Sequence, residues 1–184
     1  MKISFSASNS NFRGNFFYST DEHGRARGIA ESFAIIEEKK SKELPNFLIN
    51  GGDFSNGSPC SQKDLIKLYR KFAKNNPDIK MIFQLGNTEF NSCSDKKLNS
   101  ILTKLKKGLK NISFINYTKE RLSQIYDKKE FKNVDEYVVL NDKVKDKDGR
   151  IISQKILLTG TTDHPQITLD EHKKIFDEKI MPLI

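Results

Sequence analysis

The spacing of apolar residues changes period repeatedly along this chain, and each change marks an element. Ile3 to Ala7 alternates apolar with small polar residues and predicts a first strand. Asn9 to Arg27 reads as a long loop, with a short strand at Phe16 to Tyr18. From Gly28 to Lys40, the residues Ile29, Phe33 and Ile36 share one helical face. Phe47 to Asn50 predicts a strand. Ser61 to Lys74 predicts a helix with Leu65, Leu68, Tyr69 and Phe72 inward, Ser61 as its cap and Pro77 beyond its end. Met81 to Leu85 is a further strand. Ser94 caps a helix that turns Leu98, Ile101, Leu102, Leu105 and Leu109 inward. Ile112 to Asn116, Tyr137 to Leu140 and Lys155 to Thr159 predict strands, with a turn at Asp148-Gly149 between the last two. Asp170 to Ile180 is a terminal helix.

Strands alternating with helices predict an α/β fold on a largely parallel sheet. At 184 residues, a single domain over 1–184 is the simplest organisation. Hydrophobic content of 36% is low, but the apolar segments recur along most of the chain, so a folded core is expected. No apolar run approaches the roughly 20 residues of a membrane span. The N-terminus lacks the apolar core of a secretory leader. A cytoplasmic protein with no membrane partner is expected, or one whose leader has been removed. The net charge of +8 permits binding to nucleic acid. The lysines are dispersed and rarely interleaved with aromatics, so a solvated surface is the preferred interpretation, and the positive field also suits a phosphorylated substrate. Cys60 and Cys93 are too few for a disulfide framework and are expected as free thiols, although both lie just past polar loops at one sheet edge.

Two predicted strands run straight into short polar stretches, "GGDFSNGSP" and "GNTEF", each followed by a helix. In a parallel sheet both loops lie at the carboxyl edge, where such folds bind ligands. Asp53 and Asn87 can therefore converge. A carboxylate and an amide oxygen suit a hard divalent cation, and a pair of such ions suits phosphoryl hydrolysis.

The ordered run "INGGDFSNGSP", "QLGNTEFN", "SFINYT" and "KILLTGTTD" resembles the calcineurin-like metallophosphatases, most closely their nucleotidase and UDP-sugar hydrolase branch. The resemblance spans nearly the whole chain. It implies a layered α/β metallophosphatase-type sheet domain using divalent manganese, magnesium or zinc. It also implies that Asp53 bridges two metals and that Asn87 binds the second. Thr88 stands where the family carries a histidine that stabilises the transition state or protonates the leaving group. A threonine cannot be a cationic acid at neutral pH.

The family's first motif, Asp-x-His-Gly, has two possible registers here. In the preferred one, the strand Ile3 to Ala7 leads to Asn11-Phe12-Arg13-Gly14, 42 residues before Asp53, and "RGIA" stands for the family's Gly-Leu-Ala. The motif then offers a neutral oxygen at Asn11 and a fixed cation at Arg13, which cannot ligate a metal. In the other, "FFYST" is the strand and Asp21-Glu22-His23-Gly24 is a true motif, 32 residues before Asp53. The family's later Gly-His and Gly-His-x-His motifs have no counterpart before Ile184, which implies a domain incomplete at its C-terminus. His172 is expected on a helix surface and His164 in a loop.

The preferred reading is a degenerate or truncated nucleotidase-like phosphatase, impaired as an isolated chain, that binds no metal tightly. Arg13 and Asn11 would then hold a nucleotide or phosphate without metal. One alternative is an active phosphoesterase using Asp21, His23, Asp53 and Asn87, completed by another segment or partner chain. The other is a non-catalytic basic binding domain, with nucleic acid disfavoured.

Overall fold

The computed structural model describes residues 13–20, 22–55, 59–92, 94–127, 131, 133–146, 148–162 and 164–184. Strand β1 is Asn15–Ser19, followed by helix α1 Ala26–Lys39, β2 Asn46–Asn50, α2 Pro59–Asn75 and β3 Ile79–Gln84. Two helices, α3 Asn87–Ser92 and α4 Asp95–Lys106, precede β4 Ile112–Ile115. Then come α5 Lys119–Ile125, β5 Tyr137–Lys145, β6 Ile151–Thr159, α6 Leu169–Lys179 and a short 3-10 turn, Met181–Leu183. Strands β1 to β4 form a parallel sheet in sequence order, and β5 and β6 pair antiparallel. The sheet register sets Ser19 beside Asn50 and Asn50 beside Phe83, so the segments after β1, β2 and β3 leave from one edge.

Side chains alternate across the sheet and build two cores. Leu48, Met81, Phe83, Ile112 and Phe114 point to one face and meet Ile29, Phe33, Leu65, Tyr69, Phe72, Leu98 and Leu102 from the helices. Phe47, Ile49, Ile82 and Ile115 point to the other and meet Val138, Leu140, Ile156 and Leu158 of the β5–β6 hairpin. The resulting order is helices, parallel sheet, hairpin. Burial on both faces explains why β2 is apolar or buried at all five positions. Among the described residues, no helix is long and apolar enough to cross a membrane.

Three sequence expectations are revised. The first is the N-terminal strand. Ile3 to Ala7 lies outside the described residues, and the strand that pairs with β2 is Asn15–Ser19, which extends the short strand expected at Phe16 to Tyr18 by one residue at each end. Phe16 and Tyr18 lie on its exposed side, so its alternation is apolar on both faces and gives no inward-outward contrast. The second is the start of α2. It begins at Pro59, whose fixed φ and missing N–H suit the first turn, two residues before the expected cap. The third is the length of α4. It ends at Lys106, and Gly108 at φ +72° turns the chain away, leaving Leu109 packed on the core from outside the helix. Helices α3 and α5, of six and seven residues, are too short to show a period and were not expected.

One buried polar side chain secures the end of α2. The Asn111 amide donates to the carbonyls of Ala73 and Asn76 at 3.1 Å and of Ile79 at 3.0 Å. These carbonyls lie at the helix terminus and the turn into β3, where the backbone cannot satisfy itself. Asn111→Ala is expected to cost about 2–3 kcal/mol by stranding buried acceptors. Urea unfolding measures it, and a cost below about 0.5 kcal/mol would mean that water replaces the amide.

Candidate functional site

The site lies where the segments after β1, β2 and β3 meet. Gly51 N donates to Ser19 O at 2.7 Å, His23 N to Asp53 O at 2.8 Å and Gly24 N to Phe54 O at 3.0 Å. The loop after β1 is thus joined backbone to backbone to the loop that carries Asp53. His23 and Asp53 both adopt left-handed backbone, at φ +44° and +54°. Histidine and aspartate are among the few non-glycine residues that tolerate this region, and such strain concentrates at functional sites.

The loop after β3 meets Asp53 from the other side. Thr88 N donates to Asp53 Oδ1 at 2.9 Å. The Asn87 side chain also faces this carboxylate. With its amide nitrogen turned toward Asp53, it donates to Oδ2 at 3.1 Å and to Oδ1 at 3.2 Å. With its oxygen turned there, three oxygens face one another, an arrangement that a cation among them would stabilise. The donor set therefore fits a hard divalent ion at the level of one carboxylate and one amide oxygen. Among the described residues, no group of three or more His, Cys, Asp or Glu side chains is arranged to hold a metal, and Asp21 lies outside those residues.

A fully buried carboxyl, Glu89, organises the two inner loops. Its Oε2 accepts from Asp53 N at 3.0 Å and Gly86 N at 2.8 Å, and its Oε1 accepts from Ser55 N at 2.8 Å. Burial pushes its pKa up to about 8; the backbone N–H groups of Ser55, Gly86 and Asp53 oppose the shift, and the Asp53 charge adds to it. The glycines are there because backbones touch. A Cβ on Gly52 would lie 2.9 Å from the Cα of Gly86, and a Cβ on Gly86 would lie 2.6 Å from Asp53 N.

Two further segments close the edge. Asn116 Nδ2 donates to Leu85 O at 3.2 Å and to Thr162 Oγ1 at 2.8 Å, and Thr162 Oγ1 donates to Leu85 O at 2.5 Å. The polar residues of "NYT" and "GTT" are thereby committed to holding loops in register. Tyr126, just past α5, stacks on Phe90 of α3 with ring centroids 6.3 Å apart. Burial raises its pKa first, and the Asp53 charge adds to the rise, so its hydroxyl is within the field of the site. His164 sets its ring edge-on to Tyr126 at 5.2 Å, and its Nδ1 accepts from Gln166 N at 3.1 Å. His172 was expected on a helix surface. It instead sits half-buried, 3.3 Å from Thr161 Oγ1 and edge-on to Tyr117.

Of the sequence-predicted residues, Asp53, Asn87, Thr88 and the backbone of His23 come together. Arg13 does not join them. It precedes β1 at the opposite edge of the sheet, where its Nη1 donates to Lys145 O at 2.7 Å and its N to Gln154 Oε1 at 3.1 Å. The described neighbour of Asp53 is thus Glu22-His23-Gly24, the segment that follows β1, and not Arg13. Asn11, Asp21 and Cys93 lie outside the described residues, and so does the side chain of Cys60. Sequence reasoning passed over Glu22, Tyr69, Glu89 and Tyr126. The only signal for two of them was a glutamate inside each of the motif stretches "DEHG" and "GNTEF".

No curated protein matches this sequence. A family model described as calcineurin-like phosphoesterase matches residues 16–180, from within β1 to the residue after α6. The α/β architecture, the loops gathered at one sheet edge and this match over most of the chain agree: the protein belongs to the calcineurin-like phosphoesterase family.

Proposed function

We propose that this chain holds one divalent cation through Asp53, the Asn87 side-chain oxygen and the first-loop residues Asp21 and His23, and hydrolyses phosphate monoesters slowly. The observation that carries it is the backbone joining of His23 and Gly24 to Asp53 and Phe54. It supports an Asp-x-His-Gly motif, rather than Asn11 and Arg13, as the partner of Asp53. The family generally depends on divalent metal. A bound cation would polarise a phosphoryl oxygen and lower the pKa of a coordinated water.

The protein's own groups set the limits. Asp53 and Asp21 supply two negative charges, which suit one divalent ion better than two. Thr88 presents its N–H to Asp53 and no proton to a leaving group, so esters with good leaving groups are turned over fastest. Nucleotide monophosphates are the proposed physiological class, on the resemblance of the motif run to the nucleotidase branch.

The test is manganese titration by calorimetry, with hydrolysis of p-nitrophenyl phosphate and a nucleoside monophosphate on the same sample. Asp53→Asn keeps the side chain's size and its tolerance of positive φ while removing the charge. It is expected to weaken manganese by about 100-fold or more, since even residues outside the ligand set typically cost 10–100-fold. His23→Ala is expected to weaken it comparably, and Arg13→Ala to leave it unchanged. No manganese binding by the wild type, or a loss confined to Arg13→Ala, would overturn this function.

A further inference from the structure

We infer that the part-buried Tyr69–Glu22 hydrogen bond is a positioning device that holds the first loop against Asp53 and thereby sets the affinity for a divalent cation. The inference rests on the cation site proposed above. Tyr69 lies on α2, and none of its surface is exposed. Its surroundings are aromatic: Phe33, Phe54 and Phe83 lie at ring-centroid distances of 5.2, 6.5 and 4.9 Å. Phenylalanine would fill the same space, so packing does not require the hydroxyl. That hydroxyl donates to Glu22 Oε2, the carboxylate between Asp21 and His23 in the sequence.

The bond is one part of a network. Glu22 also hydrogen-bonds the side chains of Ser19 and Asn50. Asn50 Nδ2 donates to Ser19 Oγ at 3.1 Å, and Asn50 Oδ1 accepts from Gly52 N at 3.0 Å. Five segments therefore share one set of bonds: α2, the end of β1, the first loop, the end of β2 and the Gly52-Asp53 turn.

Drawing a carboxyl part-way out of water onto a buried hydroxyl is costly, and replacing both partners by apolar groups of similar shape is often close to neutral. The network's value therefore lies in geometry. Two successive left-handed residues, His23 at φ +44° and Gly24 at φ +69°, form the segment that meets Asp53. Such a turn relaxes unless something holds it. Glu22 holds it from the residue immediately before. Tyr69 acts through the loop's backbone, so it is a positioning residue and not a ligand.

Two variants cut the bond from opposite sides. Tyr69→Phe keeps the aromatic packing, and Glu22→Ala leaves that packing untouched. Hydrogen exchange of the His23 and Gly24 amides is read by NMR, and manganese affinity by calorimetry. Each variant is expected to speed exchange at those two amides by about 10-fold or more while β2 and β3 amides stay protected. Each is also expected to weaken manganese by about 10–100-fold. Glu22→Gln keeps an oxygen for the tyrosine hydroxyl and is expected to stay within about 3-fold of wild type on both readouts. Unchanged exchange in both cutting variants would overturn the inference. So would faster exchange with unchanged manganese affinity. A wild type that binds no manganese would remove the cation role together with the proposed function, while the exchange data still decide whether the bond holds the loop. Should Tyr69→Phe fail to fold, Glu22→Ala carries the test from the loop side.

Discussion

Glu89→Ala is expected to destabilise the protein by about 3–5 kcal/mol, because it strands three backbone donors in a dry interior where each costs roughly 1–3 kcal/mol and the costs do not fully add. Those donors are the amides of Asp53, Ser55 and Gly86, which define the shape of the two inner loops. The carboxyl itself is fully buried. Urea unfolding measures the loss, and the same variant is expected to abolish manganese binding, since Asp53 and Asn87 leave their relative positions. A cost under about 1 kcal/mol would show that water enters and satisfies the three amides.

Glu89 also imposes a pH dependence of definite sign. Its ordinary value is 4.5, and in the folded protein it is raised to about 8. Between those values the folded state keeps a proton that the unfolded state has lost. Stability from this group is therefore fully present below about 4.5, declines as pH rises through the interval, and is gone above about 8. Unfolding free energies of wild type and Glu89→Gln, compared without metal in the presence of a chelator, isolate the effect. The advantage of wild type over the variant is expected to shrink as pH rises. A difference constant across that range would mean that the three amides keep Glu89 ionised throughout.

The second large effect is expected at Gly86. A Cβ there would lie 2.6 Å from Asp53 N and 2.8 Å from Asp53 Cγ. The obstructing atoms cannot swing away, because Thr88 N and the Asn87 side chain hold the carboxylate and Glu89 holds the backbone amide. Gly86→Ala is expected to cost about 2–3 kcal/mol as an overpacking change, and to abolish cation binding by displacing Asp53. Gly28→Ala in α1 is the control. Nothing lies within 4 Å of its Cβ, and removing a helical glycine is expected to stabilise by about 0.5–1 kcal/mol. Parallel thermal melts and manganese titrations check both. Gly86→Ala with wild-type affinity would show that the Asp53 carboxylate contributes little to the site.

Much of the scaffold is legible in residue spacing. Ile29, Phe33 and Ile36 are buried on α1, and Leu65, Tyr69 and Phe72 on α2, as a 3.6-residue period requires. The two sheet-edge motifs also follow from spacing, since strand, polar loop and helix in a parallel sheet bring Asp53 and Asn87 to one edge. Thr88 is likewise evident as a departure, because its inability to act as an acid is a property of the side chain.

The choice between Arg13 and His23 as the neighbour of Asp53 is not available from the sequence. Both follow a short apolar stretch, and a strand's place in a sheet depends on which register buries more apolar surface and satisfies more backbone groups. Pairing β1 with β2 from Asn15–Asn46 to Ser19–Asn50 settles that choice, and it sends Arg13 to the far edge. The hydrogen bonding of Glu22 and the burial of Glu89 are likewise hidden in one dimension, because a glutamate in a short polar stretch looks solvated until tertiary packing brings its partners to it. The α/β class, the helix faces and the sheet-edge carboxylate can be read from the amino-acid order alone, since these depend on local periodicity and chain connectivity. Which loop meets Asp53, and which carboxyls hold it there, follow from the packed fold alone, because desolvation and hydrogen bonding depend on what surrounds a group, and those surroundings come from distant parts of the chain.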